Sequence, residues 1–128
     1  MDKRVLIIDR DHYLLGLYAN SFVEAGLNAH GTTTGREGLM LLDTHKPHLI
    51  LMDIVFRDMN GMQFLRHIYS MRHYQKIPIV LVSNYNTTSY QQIAHDVGIH
   101  TWLMKREHTA DEIVLFVSGV LHSYSHSG

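Results

Sequence analysis

The chain has 128 residues, of which 45% are hydrophobic and 18% charged, enough to bury one core and too apolar for a disordered chain. Eleven basic residues stand against 12 acidic ones with no basic block, which argues against electrostatic nucleic-acid binding. The absence of cysteine excludes disulfides, thiolate metal sites and thiol nucleophiles.

No apolar run approaches the roughly 20 residues of a membrane span, and Val5–Ile8 is too short for a signal-peptide core, so a cytoplasmic protein without a membrane partner is expected. The first strand is predicted over Arg4–Asp9. A helix follows with Leu14, Leu15, Tyr18 and Phe22 at helical spacing, capped by Asp11 and stopped at Gly26. Leu27–His30 reads as a weaker strand. The second helix opens at Thr34, with Glu37 in capping-box position and Leu39, Leu41 and Leu42 on its apolar side.

A third strand is predicted over His48–Asp53, then a helix from Gly61 to His73 with Phe64, Leu65 and Ile68 facing inward. The fourth strand, Ile77–Val82, has Pro78 at its start, where a missing ladder donor is tolerated. The next helix starts at Thr87 or Thr88 and ends at Gly98, and the fifth strand is His100–Met104. The last helix starts at Thr109, with Glu112 completing a second capping box and Ile113, Phe116, Val117 and Val120 on its apolar side. Residues 1–122 thus make one domain, and the polar stretch 123–128 is expected to be a flexible tail.

Strands alternating with helices imply βαβ crossovers, and near-continuous apolar strands imply a sheet covered on both faces. Five such units predict an α/β fold, a doubly wound five-stranded parallel sheet in order 2-1-3-4-5 with five helices. Ligands then lie beyond the carboxyl ends of the strands, at the switch between strands 1 and 3. Asp9, Asp53, Ser83 and Lys105 all fall at those ends. Each alone fits a bland role, a cap or a solvated surface group. Together, two acids, a hydroxyl and an amine suit phosphoryl transfer to a carboxylate, which needs a nucleophile and positive charge on the transferring oxygens.

The segments VLIIDRD (5–11), HLILMDIVFRDMNG (48–61), IPIVLVSN (77–84) and GIHTWLMK (98–105) resemble the receiver domain of response regulators in two-component signalling. The resemblance, of chemotaxis-regulator type, spans about residues 3–122 and implies a flavodoxin-like fold. By that resemblance Asp53 is the phosphoacceptor, with Lys105 and Ser83 assisting, and the domain is a signalling acceptor rather than an enzyme. It also implies Mg²⁺ held by Asp9, Asp53 and the backbone carbonyl of Val55, and a switch formed by Ser83 and Trp102. The implied partners are a histidine kinase or phosphotransfer protein and a downstream protein on the face of helix 4, strand 5 and helix 5. Gly61 matches the glycine that opens the third helix.

Several positions depart from the family pattern. Arg10 replaces the second acid of the metal-binding pair, Phe56-Arg57 replaces the usual Met-Pro or Leu-Pro, and Asn60, Asn84 and Arg106 are also atypical. Asp11 lies one residue beyond the lost ligand and is read as a helix cap. Two carboxylates with Arg10 and Lys105 make a near-neutral pocket, so Mg²⁺ is expected to bind weakly or not at all. Unit charges 4 Å apart interact by ~4 kcal/mol at an effective dielectric of 20. The alternative reading is therefore a pseudo-receiver, in which Arg10 pairs with Asp53 and the domain acts as an interaction module without phosphorylation.

The 11 histidines are read as surface groups: His45 and His48 straddle Pro47, and His122 and His126 would need the last helix to continue. A flavin-binding flavodoxin is disfavoured because Arg10-Asp11-His12-Tyr13 lacks a phosphate-cradling glycine. A phosphatase or dehalogenase with Asp9 as nucleophile would call for a cap domain, for which 128 residues leave little room.

Overall fold

The structure, a computed structural model, describes residues 2–85 and 88–126, and the side chains of all of these except 124–126. The strands are β1 (Arg4–Ile8), β2 (Asn28–Thr32), β3 (Leu49–Met52), β4 (Ile79–Ser83) and β5 (Thr101–Met104). The helices are α1 (His12–Glu24), α2 (Gly35–Thr44), α3 (Gly61–Ser70), α4 (Thr88–Val97) and α5 (Ala110–His126). The sheet is parallel throughout, in order β2-β1-β3-β4-β5.

The period-2 alternation of the central strands divides the core in two. Leu6, Ile8, Ile50, Met52 and Leu81 face the side covered by α2, α3 and α4, where Leu42, Phe64, Leu65, Ile68 and Ala94 are buried. Val5, Ile7, Leu49, Leu51, Val80 and Val82 face α1 and α5, through Tyr18, Phe22, Ile113, Val114, Val117, Val120 and Leu121. Each fully buried Leu or Phe contributes about 1.5–3 kcal/mol, and both faces are lined this way, as a doubly wound sheet requires.

Local signals decide where the elements stop. Gly26 takes a φ of +78°, which lets the Leu27 N–H turn back to the Phe22 carbonyl at 2.9 Å and close α1. Thr109 and Glu112 form a reciprocal box at the start of α5, with N–H to oxygen distances of 3.1 and 2.8 Å. At α2 the box is half made: the Thr34 hydroxyl accepts the Glu37 N–H at 3.2 Å, but the Glu37 carboxylate takes the Thr32 hydroxyl instead.

Four expectations need correction. α3 ends at Ser70 rather than near His73, because Met71 is extended and a 3₁₀ turn over Arg72–Tyr74 buries the Tyr74 ring, with its hydroxyl bonded to Asp43. β2 runs to Thr32, two residues beyond the weak apolar run, because its ladder with β1 pairs Ile8 with Thr32. Phe116 is 37% exposed, and Val114 and Leu121 take inward positions beside Val117 and Val120. The backbone of 123–126 continues α5, since a polar stretch without Gly or Pro has no helix breaker before Gly128. The alternative α4 start at Thr87 lies outside the described residues, as do 127 and 128.

Candidate functional site

Pairing at the strand ends brings two acids together. The Asp9 N–H donates to the Thr32 carbonyl at 3.1 Å, continuing the β1–β2 ladder, and the Asp53 N–H donates to the Ile8 carbonyl at 3.0 Å, continuing β1–β3. Both side chains are buried, Asp9 at 3% exposure and Asp53 at 7%. Lys105 follows the edge strand β5, about 10 Å of sheet away from β3. Its extended side chain and the aspartates reaching toward it close that distance together, and its Nζ donates to Asp9 Oδ2 at 2.6 Å and Asp53 Oδ2 at 2.7 Å.

The remaining carboxylate oxygens are held by backbone. Asp9 Oδ1 accepts the Asp11 N–H at 2.9 Å, and Asp53 Oδ1 accepts the Ile54 N–H at 2.6 Å. Each acid is therefore fixed in rotamer by its own chain and in charge by one shared ammonium. Burial pushes the Asp9 carboxyl above its ordinary 3.8, against the pull of Lys105. Burial alone would lower the Lys105 ammonium, but its hydrogen bonds to Asp53 and Asp9 outweigh this and raise it. The ammonium is firmly charged.

Ser83 lies at the end of β4 and is fully buried, with its hydroxyl accepting the Tyr85 N–H at 3.1 Å. No hydrogen bond joins it to Asp53 or Lys105. Trp102 pairs in register with Leu81 and is half-buried in the cluster with Leu81 and Ala94. Its indole N–H is buried without a partner in the described structure.

Arg10 does not pair with Asp53, which corrects the counter-ion arrangement expected for a pseudo-receiver. Both Asp53 oxygens are taken, and Arg10, next along the chain from inward-facing Asp9, turns outward and is exposed. Its side chain has no ion pair among the described residues. Together with Arg106 it lines the mouth of an open cleft of about 430 Å³ whose floor is Asp9, Asp53 and Lys105. Asp11 cannot readily replace the lost ligand: its Oδ1 caps α1, accepting the Tyr13 and Leu14 N–H groups at 3.0 and 3.3 Å.

The loop after β3 carries the rest of the site. Val55 and Asn60 form an isolated antiparallel bridge made by the Phe56 and Gly61 N–H groups with the carbonyls of Met59 and Ile54. The bridge leaves the carbonyl of Val55 itself unused. Asn60 caps α3 in a full box with Gln63, a detail that the spacing of 60 and 63 carries in the sequence. A Cβ on Gly61 would lie 2.5 Å from the Ile54 carbonyl oxygen, so only glycine permits this close return of the chain.

Two residues that sequence reasoning missed also shape the site. Asp58 reaches from this loop to the start of α2, accepting the Gly35 N–H at 2.7 Å and the Arg36 N–H at 3.0 Å. Desolvation works against its charge, but those two N–H bonds prevail and hold its carboxyl below the ordinary value. Tyr18 lies beneath the acids, 1% exposed, with a hydroxyl that has no hydrogen-bond partner among the described residues. Burial first, then the charges of Asp9 and Asp53, push that phenol well above its ordinary range. No spacing signal marks Asp58. Tyr18 is visible as a helix-face aromatic, but its position under the carboxylates is not.

The profile of the family described as "Response regulator receiver domain" matches residues 5–117. The regulatory protein AtoC of Escherichia coli is 27% identical over 123 residues, which is 96% of this chain and 26% of that protein. The polar-differentiation response regulator DivK of Brucella ovis is 24% identical over 105 residues, 82% of this chain and 85% of that protein. The chain spans about a quarter of AtoC and 57% of the probable transcriptional regulator ycf29 of Cyanophora paradoxa, another relative. Among solved structures, a CheY-like receiver domain protein from Methanospirillum hungatei superposes with a TM-score of 0.89 over 100% of both chains at 22% identity. Chemotaxis protein CheY4 of Vibrio cholerae superposes with a TM-score of 0.83 at 20% identity, covering 94% of this chain and 99% of that one.

Proposed function

Since this chain belongs to the response regulator receiver domain family of two-component signalling, we propose that it accepts a phosphoryl group on Asp53 and relays the change to a partner protein. The observation that carries the reading is the single Lys105 ammonium shared by Asp53 and Asp9 at 2.7 and 2.6 Å. An oxygen of Asp53 attacks phosphorus, the O–P bond forms, and the bond to the phosphohistidine nitrogen of a kinase or phosphotransfer protein breaks. The departing imidazole keeps its electron pair and takes up a proton. Lys105 offsets the charge that gathers on the phosphoryl oxygens. Ser83, at the neighbouring strand end, gives up the Tyr85 N–H and turns to the product, and Trp102 repacks with it. The output face is built from α4, β5 and α5. Family members are signalling domains, and the only turnover proposed here is of the domain's own phosphoryl group.

Receiver domains in general bind Mg²⁺ in the acidic pocket. Here two carboxylates and the unused Val55 carbonyl supply hard oxygen donors, so the pocket fits the ion with one ligand fewer and more of its shell left to water. Asp9, Asp53 and Val55 would hold it, and its charge would neutralise the phosphoryl oxygens. Arg10 and Arg106 at the cleft mouth weaken its binding by repulsion.

The same two arginines favour a second reading, a pseudo-receiver whose interaction face is set without phosphorylation. One experiment decides between them: incubation with acetyl phosphate and Mg²⁺, followed by intact mass and Trp102 fluorescence. A gain of one phosphoryl mass that disappears in Asp53→Asn is expected. No gain and no fluorescence change would overturn the phosphoacceptor reading in favour of the second.

A further inference from the structure

At the β2 edge of the sheet, outside the cleft, two imidazoles converge. His30 lies on the edge strand β2 and is exposed, and His45 follows α2 as its C-terminal cap. Their Nδ1 atoms are 3.2 Å apart, and the rings meet edge to face with centroids 4.7 Å apart at 85°. The far nitrogen of His45, Nε2, lies 3.3 Å from the Val5 carbonyl oxygen. A carbonyl only accepts, so Nε2 carries the proton and Nδ1 presents its lone pair toward His30.

A metal-ligating imidazole is held in this way: its second nitrogen donates to a carbonyl or carboxylate, which fixes tautomer and ring orientation. A tetrahedral zinc ion with nitrogen ligands at roughly 2.0–2.1 Å places two of them about 3.3 Å apart. We infer that His30 and His45 form a two-imidazole site for a borderline divalent ion of the zinc–copper group, bound through both Nδ1 atoms and completed by water. Without an ion, the same separation lets His30 donate its proton to His45.

The surroundings select the ion. Neutral nitrogen donors with no carboxylate suit zinc and copper and do not suit Mg²⁺ or Ca²⁺. No third His, Asp or Glu completes a metal cluster among the described residues. His48 is engaged elsewhere, its Nδ1 accepting the Arg4 N–H at 2.9 Å. Arg4 binds the carbonyls of His45 and Lys46 through Nε at 2.8 and 3.1 Å, and its charge limits affinity for any cation. The bound ion would join the end of α2 to the edge strand.

The test is titration of the tag-free chain with Zn²⁺, followed by native mass spectrometry and thermal unfolding, with Cu²⁺ as a second probe read by its visible absorption. One ion per chain and a rise in the unfolding midpoint are expected. In His30→Gln, affinity is expected to fall about tenfold or more and the midpoint shift to vanish, while His67→Gln, at an exposed position on α3, is expected to bind as the unaltered chain does. His30 is exposed on an edge strand, so its variant retains the fold, which circular dichroism verifies. His45→Gln also loses the Val5 contact and is the secondary variant. Undiminished binding by His30→Gln, or no ion retained by the unaltered chain, would overturn the proposal.

Discussion

The Lys105 ammonium donates to the Asp53 carboxylate at 2.7 Å and, among the described residues, has no other acceptor but Asp9, at 2.6 Å. Two buried acids thus depend on one cation that is itself largely shielded, with a side chain 19% exposed. Breaking such a group by removing one member leaves charge without compensation. Lys105→Met is expected to lower stability at pH 7 by up to about 3 kcal/mol in urea unfolding. The deficit shrinks as pH falls toward the carboxylate range, because protonation then relieves the two acids. A loss as large at about pH 4, near the ordinary carboxylate range, as at pH 7 would contradict this account.

Asp9 gives an opposite expectation. Burial raises its carboxyl above the unfolded value, so the folded state holds a proton more tightly than the unfolded chain does. Stability associated with this group is greatest below the ordinary 3.8 and declines as pH rises through the raised value. Asp9→Asn is expected to unfold at higher urea than the unaltered chain at pH 7, with the difference fading near pH 3. Its Mg²⁺ affinity, followed by Trp102 fluorescence, is expected to drop at the same time.

Asp58 works in the conventional direction for an acid. Its carboxyl is depressed, so its contribution is complete above the ordinary 3.8 and lost as pH falls through the lowered value. The N–H groups it accepts, Gly35 and Arg36, are unpaired donors of the first turn of α2. Asp58→Ala is expected to cost about 1 kcal/mol at pH 7, the size of a lost helix cap. Comparison of urea midpoints at pH 7 and at pH 3 checks both size and sign.

Directly under the acids, Tyr18 carries a buried hydroxyl with no partner among the described residues. An unsatisfied buried polar group costs roughly 1–3 kcal/mol. Tyr18→Phe keeps the ring and removes the group, and is expected to gain about 1 kcal/mol in thermal or urea unfolding. A destabilised variant would mean that the hydroxyl has a use at the site.

What could be read from the sequence was whatever repeats or alternates. Apolar runs at the strands set the sheet, and a doubly wound sheet brings the ends of β1, β3 and β5 to one edge, which is why Asp9, Asp53 and Lys105 meet. Direction was not legible. Arg10 and Asp9 are adjacent, yet Asp9 is buried and Arg10 exposed, and residue types alone do not say which of the two faces the cleft floor. Phe116 sits on a helix that is apolar on several sides, so periodicity could not single out its inward face. Contacts between distant segments, such as Asp58 with Gly35 and His30 with His45, leave no spacing pattern at all.

The Asp58 bonds have a mechanical consequence. The loop that leaves Asp53 is moored at its far side to the first turn of α2, and the Arg57 N–H adds a second line to the Thr33 carbonyl at 3.1 Å. A rearrangement around the acceptor that displaces this loop must either drag the helix along or slip its moorings. The Gly35 and Arg36 amides therefore act as a strain gauge for the cleft, readable by hydrogen exchange without any label in the pocket itself.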